Sequence, residues 1–287
     1  MAPPPRSPHE LRWPDLVWSH FSRPRHGGFD ERVAAAAAAG YAAIGLYVSE
    51  YRRLRDEEGR SAADIRAVLD DHGMMIGEIE TIVGWSAAAS EQNAAAAAAI
   101  EALAYEMADE FGCRYLQAIG SYEGTVGDAA RGFGALCDRA AVHGLKVGIE
   151  WLPFTNIYDA ADAQAIVSRA DRPNGGYCAD IWHHTRGSND LAMLAALDPA
   201  KVFAIQMNDG PLAPGPLDYK TDCLTTRVPP GLGEFDCVGF LSTLRGMGVD
   251  APISMEVCST ELWTMPAGDA ARASADGIRR VLTQVSP

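Results

Sequence analysis

One local pattern recurs along this 287-residue chain: a helix-forming segment, a glycine, and then a short apolar run. Each glycine stands where a helix would end in a left-handed residue, a conformation that glycine adopts without steric strain. Because a strand-length apolar run follows every time, helices alternate with strands, and this alternation predicts a parallel sheet. The glycines of the five clearest repeats are Gly40, Gly73, Gly112, Gly144 and Gly248.

Eight strands and eight helices can be placed in this alternation. The strands are predicted near 16–21, 43–48, 74–80, 114–119, 145–150, 176–181, 202–207 and 252–257. The helices are predicted near 29–39, 61–72, 91–111, 127–143, 158–170, 188–196, 236–246 and 268–284. Eight such units predict one α/β domain, a closed (β/α)8 TIM barrel. We assign it residues 15–287, after a flexible, proline-rich extension at 1–14, and expect an irregular loop at 208–235.

Composition and charge narrow the class of protein. The formal net charge is −14 and no basic cluster offsets it, which argues against nucleic acid as a partner. No apolar run reaches the roughly 18 residues that span a bilayer, so we expect no membrane association. The six cysteines form no CxxC pair, so we expect free buried thiols and a cytoplasmic protein. The alanine-rich outer helices could pack against another subunit in a homo-oligomer.

Four of the apolar runs end on a residue with a side-chain oxygen. The runs are KVGIE, GYCAD, VFAIQ and PISME, and they end at Glu150, Asp180, Gln206 and Glu256. A carboxylate at the end of a buried strand is costly unless it is paired or bound to a cation. In a barrel these strand ends meet at one rim, so the four side chains predict a single divalent cation there. An all-oxygen donor set favours Mn²⁺ or Mg²⁺ over Zn²⁺.

Three short motifs accompany these residues: Asp180-Ile-Trp-His183, Gln206-Met-Asn-Asp209 and the stretch RVPPGLGEFD from Arg227 to Asp236. With the four strand ends they resemble the xylose isomerase-like TIM barrels, the sugar phosphate isomerase/epimerase superfamily, from about residue 15 to 285. The resemblance implies that Glu150, Asp180, Gln206 and Glu256 bind one divalent metal. Many relatives have histidine at the third position. Glutamine there resembles the hydroxypyruvate isomerase-like branch and some dehydroshikimate dehydratases. Only seven histidines are present, which argues against the His-rich zinc endonucleases of this fold.

Further residues are candidates for the site. His183 lies three residues past Asp180 and should face the barrel mouth, where it could contact substrate or transfer a proton. Arg227 could hold substrate oxygens with its planar guanidinium group. Gln117 and Trp151 are predicted pocket walls, and one of Glu78 and Glu80, on the third strand, should reach the mouth.

The predicted function is isomerisation or epimerisation of a small polyhydroxy aldehyde or ketone. Glu150 and Glu256 would move the proton next to a metal-bound carbonyl, through an enediolate. A lyase of the same superfamily, similar to 3-dehydroshikimate or inosose dehydratases, shares this first step and stays an alternative. A non-catalytic sugar-binding barrel is the alternative of another class. No glycine-rich phosphate cradle is evident, which favours an unphosphorylated substrate.

Overall fold

Eight parallel strands close into a barrel in which each strand pairs with its two neighbours in sequence. The structure, a computed structural model, describes residues 11–86 and 91–285, with the side chains of 91–94 excepted. Strand β8 pairs with β1, Val17 lying opposite Ser254, and this pairing completes the barrel. The predicted (β/α)8 fold is therefore confirmed. The strands are β1 Leu16–Trp18, β2 Ala43–Tyr47, β3 Ile76–Ile82, β4 Tyr115–Ala118, β5 Lys146–Glu150, β6 Gly175–Asp180, β7 Val202–Met207 and β8 Ile253–Met255.

Eleven helices are found in the described part of the chain, eight of them in the predicted places. They are α1 Phe29–Ala38, α2 Val48–Asp56, α3 Ala62–Asp71, α4 Glu91–Phe111, α5 Val126–Ala141, α6 Ala160–Ala170, α7 Ile181–Arg186, α8 Leu191–Ala195, α9 Tyr219–Thr225, α10 Cys237–Gly246 and α11 Ala267–Leu282. The additional three are α2, α7 and α9, each of which follows a strand at its carboxyl end, directly or after a loop. None of the described helices is long and apolar enough to cross a membrane.

The recurring glycines end helices as the sequence predicts. All five have positive φ, from 63° at Gly73 to 87° at Gly248, the region in which a side chain would be strained. The six cysteines are all free and buried, as expected. Most of the predicted N-terminal extension lies outside the described residues. Its last part includes Leu11, which packs against Val17 and Met75.

The inside of the barrel is polar toward its carboxyl end. Gln117 on β4 donates to Gln206 on β7, with 3.3 Å between Nε2 and Oε1. Ser254 on β8 donates to Glu78 on β3, with 2.5 Å between Oγ and Oε1. Neither pair of strands is adjacent, so both hydrogen bonds cross the barrel interior. The apolar core instead fills the layer between strands and helices, where Trp18, Trp151 and Trp182 are fully buried.

Candidate metal centre and active site

A cavity of about 340 Å³ opens at the carboxyl ends of the strands. Polar side chains line its deep end: Gln117, Glu150, His183, Arg227 and Glu256. Toward solvent most of the wall is apolar, and it includes Phe21, Val83, Ile100, Ile119, Leu152, Phe154 and Leu224. The cavity thus combines a charged floor with a hydrocarbon-lined entrance, the usual composition of a small-molecule site.

Of the four predicted metal ligands, Glu150 and Glu256 line this floor, while Asp180 and Gln206 lie beside them without lining the cavity. Glu150 and Asp180 are the last residues of β5 and β6, Gln206 lies near the end of β7, and Glu256 directly follows β8. All four are buried, with exposures of at most 6%. Gln117 links two of them, because its Nε2 lies 2.7 Å from Glu150 Oε2 as well as 3.3 Å from Gln206 Oε1. The oxygens of Glu150 and Gln206 therefore lie around the same amide in the barrel interior.

His183 adds a nitrogen to this set of oxygens. It lies in α7, and its Nε2 is 3.3 Å from Glu150 Oε1 and 3.7 Å from Asp180 Oδ2. One potential ligand atom from each of these three residues falls within 4.8 Å of the others, a spacing that could hold a metal ion. The sequence predicts only oxygen donors for the metal, with His183 in contact with substrate or transferring a proton. The geometry also makes this imidazole a potential ligand.

Asp180 is the best-fixed carboxylate of the group. Its Oδ1 accepts hydrogen bonds from the Trp182 backbone N–H, at 2.7 Å, and from Asn208 Nδ2, at 2.9 Å. This leaves Oδ2 directed at Arg227, whose Nη1 is 2.9 Å away. Burial disfavours the charged form, but the charge of Arg227 and the hydrogen bonds from Asn208 and the Trp182 backbone outweigh it and hold the pKa of Asp180 below its ordinary value. Asp180 is thus ionised and available to a cation.

The pKa values of Glu150 and Glu256 are shifted upward, in the opposite direction to that of Asp180. Burial raises the pKa of Glu150 well above its ordinary value, and the charges of Glu256 and Asp180 raise it further. Burial likewise raises the pKa of Glu256, although Arg227 partly offsets the effect. Burial also lowers the pKa of His183 to about 3, so this imidazole is neutral. A buried site with three carboxylates and a neutral imidazole fits a divalent cation, which would offset the excess negative charge.

Arg227 is the cationic side chain at the floor, and it already contacts two of the carboxylates. Its Nη1 donates to Glu256 Oε2 at 2.8 Å as well as to Asp180 Oδ2. Its position depends on Asp209, whose carboxylate accepts backbone N–H bonds from Gly231 and Phe235. The Gln206-x-x-Asp209 motif and the Arg227–Asp236 stretch are therefore parts of one structure, in which the first anchors the second.

Of the two predicted pocket walls, the structure places only Gln117 at the cavity. Trp151 is fully buried in the apolar core and does not line the cavity. The reason is the alternation of side chains along a strand. Since Glu150 points into the barrel, the next residue points outward, toward the surrounding helices. The prediction for Trp151 was therefore wrong.

Comparison with known proteins agrees with this fold. The sequence profile of the family described as "Xylose isomerase-like TIM barrel" matches residues 33–281. The chain belongs to the xylose isomerase-like TIM barrel family. This membership confirms the family resemblance inferred from the strand-end residues and motifs, together with the fold.

Two curated relatives of this family member are named as enzymes. One is a 3-dehydroshikimate dehydratase of Pseudomonas aeruginosa, 35% identical over 151 residues, which cover 51% of this chain and 23% of the dehydratase. Another is an inosose isomerase of Halalkalibacterium halodurans, 29% identical over 152 residues, which cover 52% of each protein. The match thus spans about a quarter of the dehydratase and about half of the isomerase. These similarities support an enzymatic role.

A solved structure with the same fold is that of the IolI protein with a bound zinc atom. The two folds agree with a TM-score of 0.84 over 95% of this chain and 99% of that one, at 19% sequence identity. This similarity concerns the fold.

Helix α9 brings two residues to the site that the sequence analysis missed in this xylose isomerase-like barrel. Tyr219 Oη lies 2.9 Å from His183 Nδ1, and Cys223 Sγ lies 3.0 Å from Arg227 Nη2. Asp218 caps the helix by accepting from the Thr221 backbone N–H. Tyr219, Cys223 and Arg227 recur every four residues after a capping aspartate. This helical spacing was a usable signal inside a segment otherwise rich in proline and glycine.

A second acidic pair, Glu78 and Glu80, lies inside the barrel beside the site. Gly45 makes room for it, since a Cβ there would come within 2.7 Å of both carboxylates. Glu80 accepts from Ser19 Oγ at 3.0 Å and from the His20 backbone N–H at 2.8 Å. The sequence predicts that one of the two glutamates reaches the mouth, but both are buried and neither lines the cavity. Burial raises the pKa of Glu78 to about 7.

Replacing Glu78 by glutamine will flatten the dependence of stability on pH. The folded-state pKa of about 7 exceeds the ordinary value of 4.5, so the unfolded chain loses this proton at lower pH than the folded one. The wild type therefore loses stability as pH rises from about 4.5 to 7, by up to about 3 kcal/mol from this group. Urea unfolding of chelator-treated protein at several pH values measures this loss. An equally steep loss in Glu78→Gln would contradict the assignment.

Proposed function

We propose that this protein is a divalent-metal-dependent isomerase or epimerase of a small polyhydroxy aldehyde or ketone. The observation that carries the proposal is the pair Glu150 and Glu256, two buried carboxylates that line the cavity floor. Both have pKa values raised by burial, which makes them stronger bases than exposed carboxylates. A base of this kind suits removal of a proton next to a carbonyl group.

The residues that would hold the metal are Glu150, Asp180, Gln206 and Glu256, with His183 within reach of the same ion. We propose Mn²⁺ or Mg²⁺ because most of these donors are oxygens. The His183 nitrogen makes Zn²⁺ the third ion to compare. When bound, the ion would polarise the substrate carbonyl and acidify the neighbouring C–H.

The side chains at the floor would transfer the proton and bind the substrate. Glu150 and Glu256 come from β5 and the end of β8, three strands apart, so they flank the cavity floor from different sides. One would take the proton and the same or the other would return it to the adjacent carbon. Gln117 holds Glu150 in place through its 2.7 Å hydrogen bond. Arg227, and His183 where it does not bind the metal, would hold substrate oxygens at the floor.

A dehydratase is the second candidate, and two observations favour it. The Tyr219–His183 hydrogen bond lies beside Glu150, where a proton donor could assist departure of a hydroxyl group. In addition, the apolar walls suit the hydrocarbon face of a ring better than a chain hydroxylated at every carbon. The relative in Pseudomonas aeruginosa named as 3-dehydroshikimate dehydratase supports the same alternative.

We retain three further predictions within the proposal. The partner is a small molecule and not a nucleic acid. The net charge of −14 and the negative cavity floor repel the phosphate backbone of DNA or RNA. A homo-oligomer and a cytoplasmic location stay predictions from the sequence. A non-catalytic sugar-binding barrel is less favoured, because binding alone needs no pair of basic carboxylates beside potential metal ligands.

Proton NMR in D₂O will test the reaction type. Purified protein loaded with Mg²⁺ or Zn²⁺ is incubated with hydroxypyruvate, ketoses, inososes and 3-dehydroshikimate in turn. Deuterium incorporation without loss of water is the result expected for an isomerase or epimerase, and a new alkene signal identifies a dehydratase. Heat-denatured protein with the same ion controls for exchange catalysed by the metal alone. If cation-loaded protein produces neither signal from any compound, the proposal fails.

A further inference from the structure

A second cavity lies next to the first at the same end of the barrel. It has a volume of about 330 Å³ and shares Phe21 with the main cavity. Its other lining residues are His20, Arg23, Arg25 and Trp263. In a chain with a net charge of −14, this is an unusual concentration of cationic side chains. None of these residues has a role in the proposed reaction.

The walls of this second cavity are fixed by contacts between two loops, one after β1 and one after β8. Trp263 Nε1 donates to the Phe21 carbonyl at 3.2 Å, and the Arg25 backbone N–H donates to the Trp263 carbonyl at 3.1 Å. The Arg25 guanidinium group stacks on the indole, 3.8 Å from the ring centroid. Stacking uses the face of the guanidinium and leaves its in-plane N–H donors available to a ligand.

The wall around His20 has hydrogen-bond donors but too few acceptors. Arg32 Nη1 lies 3.3 Å from His20 Nδ1, and Arg23 Nε lies 3.3 Å from His20 Nε2. Burial, reinforced by the nearby arginines, lowers the pKa of His20, so the ring is neutral. A neutral imidazole has one acceptor nitrogen, whereas both of its nitrogens face guanidinium donors. One ring N–H therefore faces a guanidinium donor, so this wall has more hydrogen-bond donors than acceptors.

Glu50, the carboxylate paired with Arg23, offsets the positive charge of the two cavity arginines only in part. Its Oε2 is 3.6 Å from Arg23 Nη2. The same carboxylate is held by Arg53 through two hydrogen bonds of 2.9 and 3.0 Å. One carboxylate is thus shared between two arginines. Within the described residues, Arg25 makes no ion pair with a carboxylate.

We propose that the second cavity binds an oxyanion, a phosphate or carboxylate group carried by the molecule whose reacting end occupies the main cavity. Phe21 is the wall residue common to both cavities, so a ligand that extends past this ring would occupy both. This inference deepens the proposed function and depends on it for the identity of the ligand. It also provides a phosphate-recognition mode that needs no glycine-rich cradle, the feature whose absence favoured an unphosphorylated substrate.

Inorganic phosphate is the probe for this site. Its binding to chelator-treated protein is measured by calorimetry at constant ionic strength, with chloride as the balancing anion. Arg25 is exposed and outside the proposed catalytic residues, so Arg25→Gln should fold normally, as a thermal melt will check. The matched control is Arg280→Gln, which makes the same charge change at an exposed site near the C-terminal end of α11.

Phosphate should bind at least about tenfold more weakly to Arg25→Gln than to wild type, since one charge-assisted partner is lost. Arg280→Gln should bind like wild type. Displacement of phosphate by acetate would extend the site to carboxylates, and failure to displace it would restrict the site to phosphate. Equal phosphate affinity in all three proteins, or none in the wild type, would overturn the proposal. Because no metal or turnover is involved, this result is independent of the reaction test.

Discussion

Glu150→Gln will lower turnover of the substrate by roughly 10²- to 10⁴-fold, the range lost when a general base is removed. Glutamine has the shape of glutamate and can still accept the 2.7 Å hydrogen bond from Gln117, so the floor of the cavity should keep its structure. What the amide cannot do is take up a proton. The measurement is the rate of deuterium incorporation into the substrate, followed by NMR, with binding of a substrate analogue determined separately.

Two companion variants make this result interpretable. Glu256→Gln tests the second carboxylate in the same way, and the variant with the larger loss in the proton-removal step identifies the base. Glu261→Gln removes an exposed carboxylate close in sequence to Glu256 and should leave turnover unchanged. Wild-type turnover in Glu150→Gln would exclude Glu150 as the base. Loss of analogue binding together with turnover would instead indicate a structural or metal-binding role.

The fold and the floor of the site were predictable because both follow from local rules. Positive φ at the five repeated glycines is a property of single residues, and it sets where each helix stops. Parallel strands in a closed barrel deliver their last residues to one rim. The positions of Glu150, Asp180, Gln206 and Glu256 therefore followed once the strand ends were identified in the sequence.

The surroundings of the floor were less predictable because they depend on contacts between distant segments. Asp209 fixes the loop that carries Arg227 through backbone bonds to Gly231 and Phe235, more than twenty residues away. No local pattern specifies those partners. The orientation of Trp151, in contrast, could have been predicted from the sequence. Side chains alternate along a strand, so the residue after the inward-pointing Glu150 points outward. Helix α2 could also have been predicted, because the apolar residues Val48, Tyr51 and Leu54 recur every three residues. All three are buried in the structure.

The structure further explains why polar residues tolerate burial at this depth. Three carboxylates at the floor, with Glu78 and Glu80 beside them, face Arg227 and Arg32 as the buried arginines of the described chain. Burial, reinforced by the charges of neighbouring carboxylates, raises the pKa values of Glu150, Glu256, Glu78 and Glu80. Such a site without a cation holds protons where a metal would otherwise provide the positive charge. Metal binding and protonation should therefore compete.

A divalent cation will accordingly stabilise chelator-treated protein and release protons as it binds. At a free ion concentration 100 times the Kd, linkage predicts about 2.7 kcal/mol of added stability, or a rise in Tm of roughly 5–10 °C for a domain of this size. Protons are released because Glu150 and Glu256 must be ionised to bind the metal, whereas burial raises their pKa. Thermal melts with Mn²⁺, Mg²⁺ and Zn²⁺, and titrations in weak buffer, measure both effects.

Asp180→Asn is the decisive variant for this second prediction. Asparagine can still accept from the Trp182 backbone N–H with its side-chain oxygen, so the start of α7 should be preserved. It lacks the charge that Asp180 directs at the cation site, and the rise in Tm should largely disappear. Glu261→Gln, with the same charge change at an exposed position, should respond like wild type. An unchanged metal response in Asp180→Asn would show that the cation binds elsewhere, and the proposed catalytic site would lose its metal. A larger response to Zn²⁺ than to Mn²⁺ or Mg²⁺ would indicate that His183 is a ligand, since nitrogen donors favour zinc.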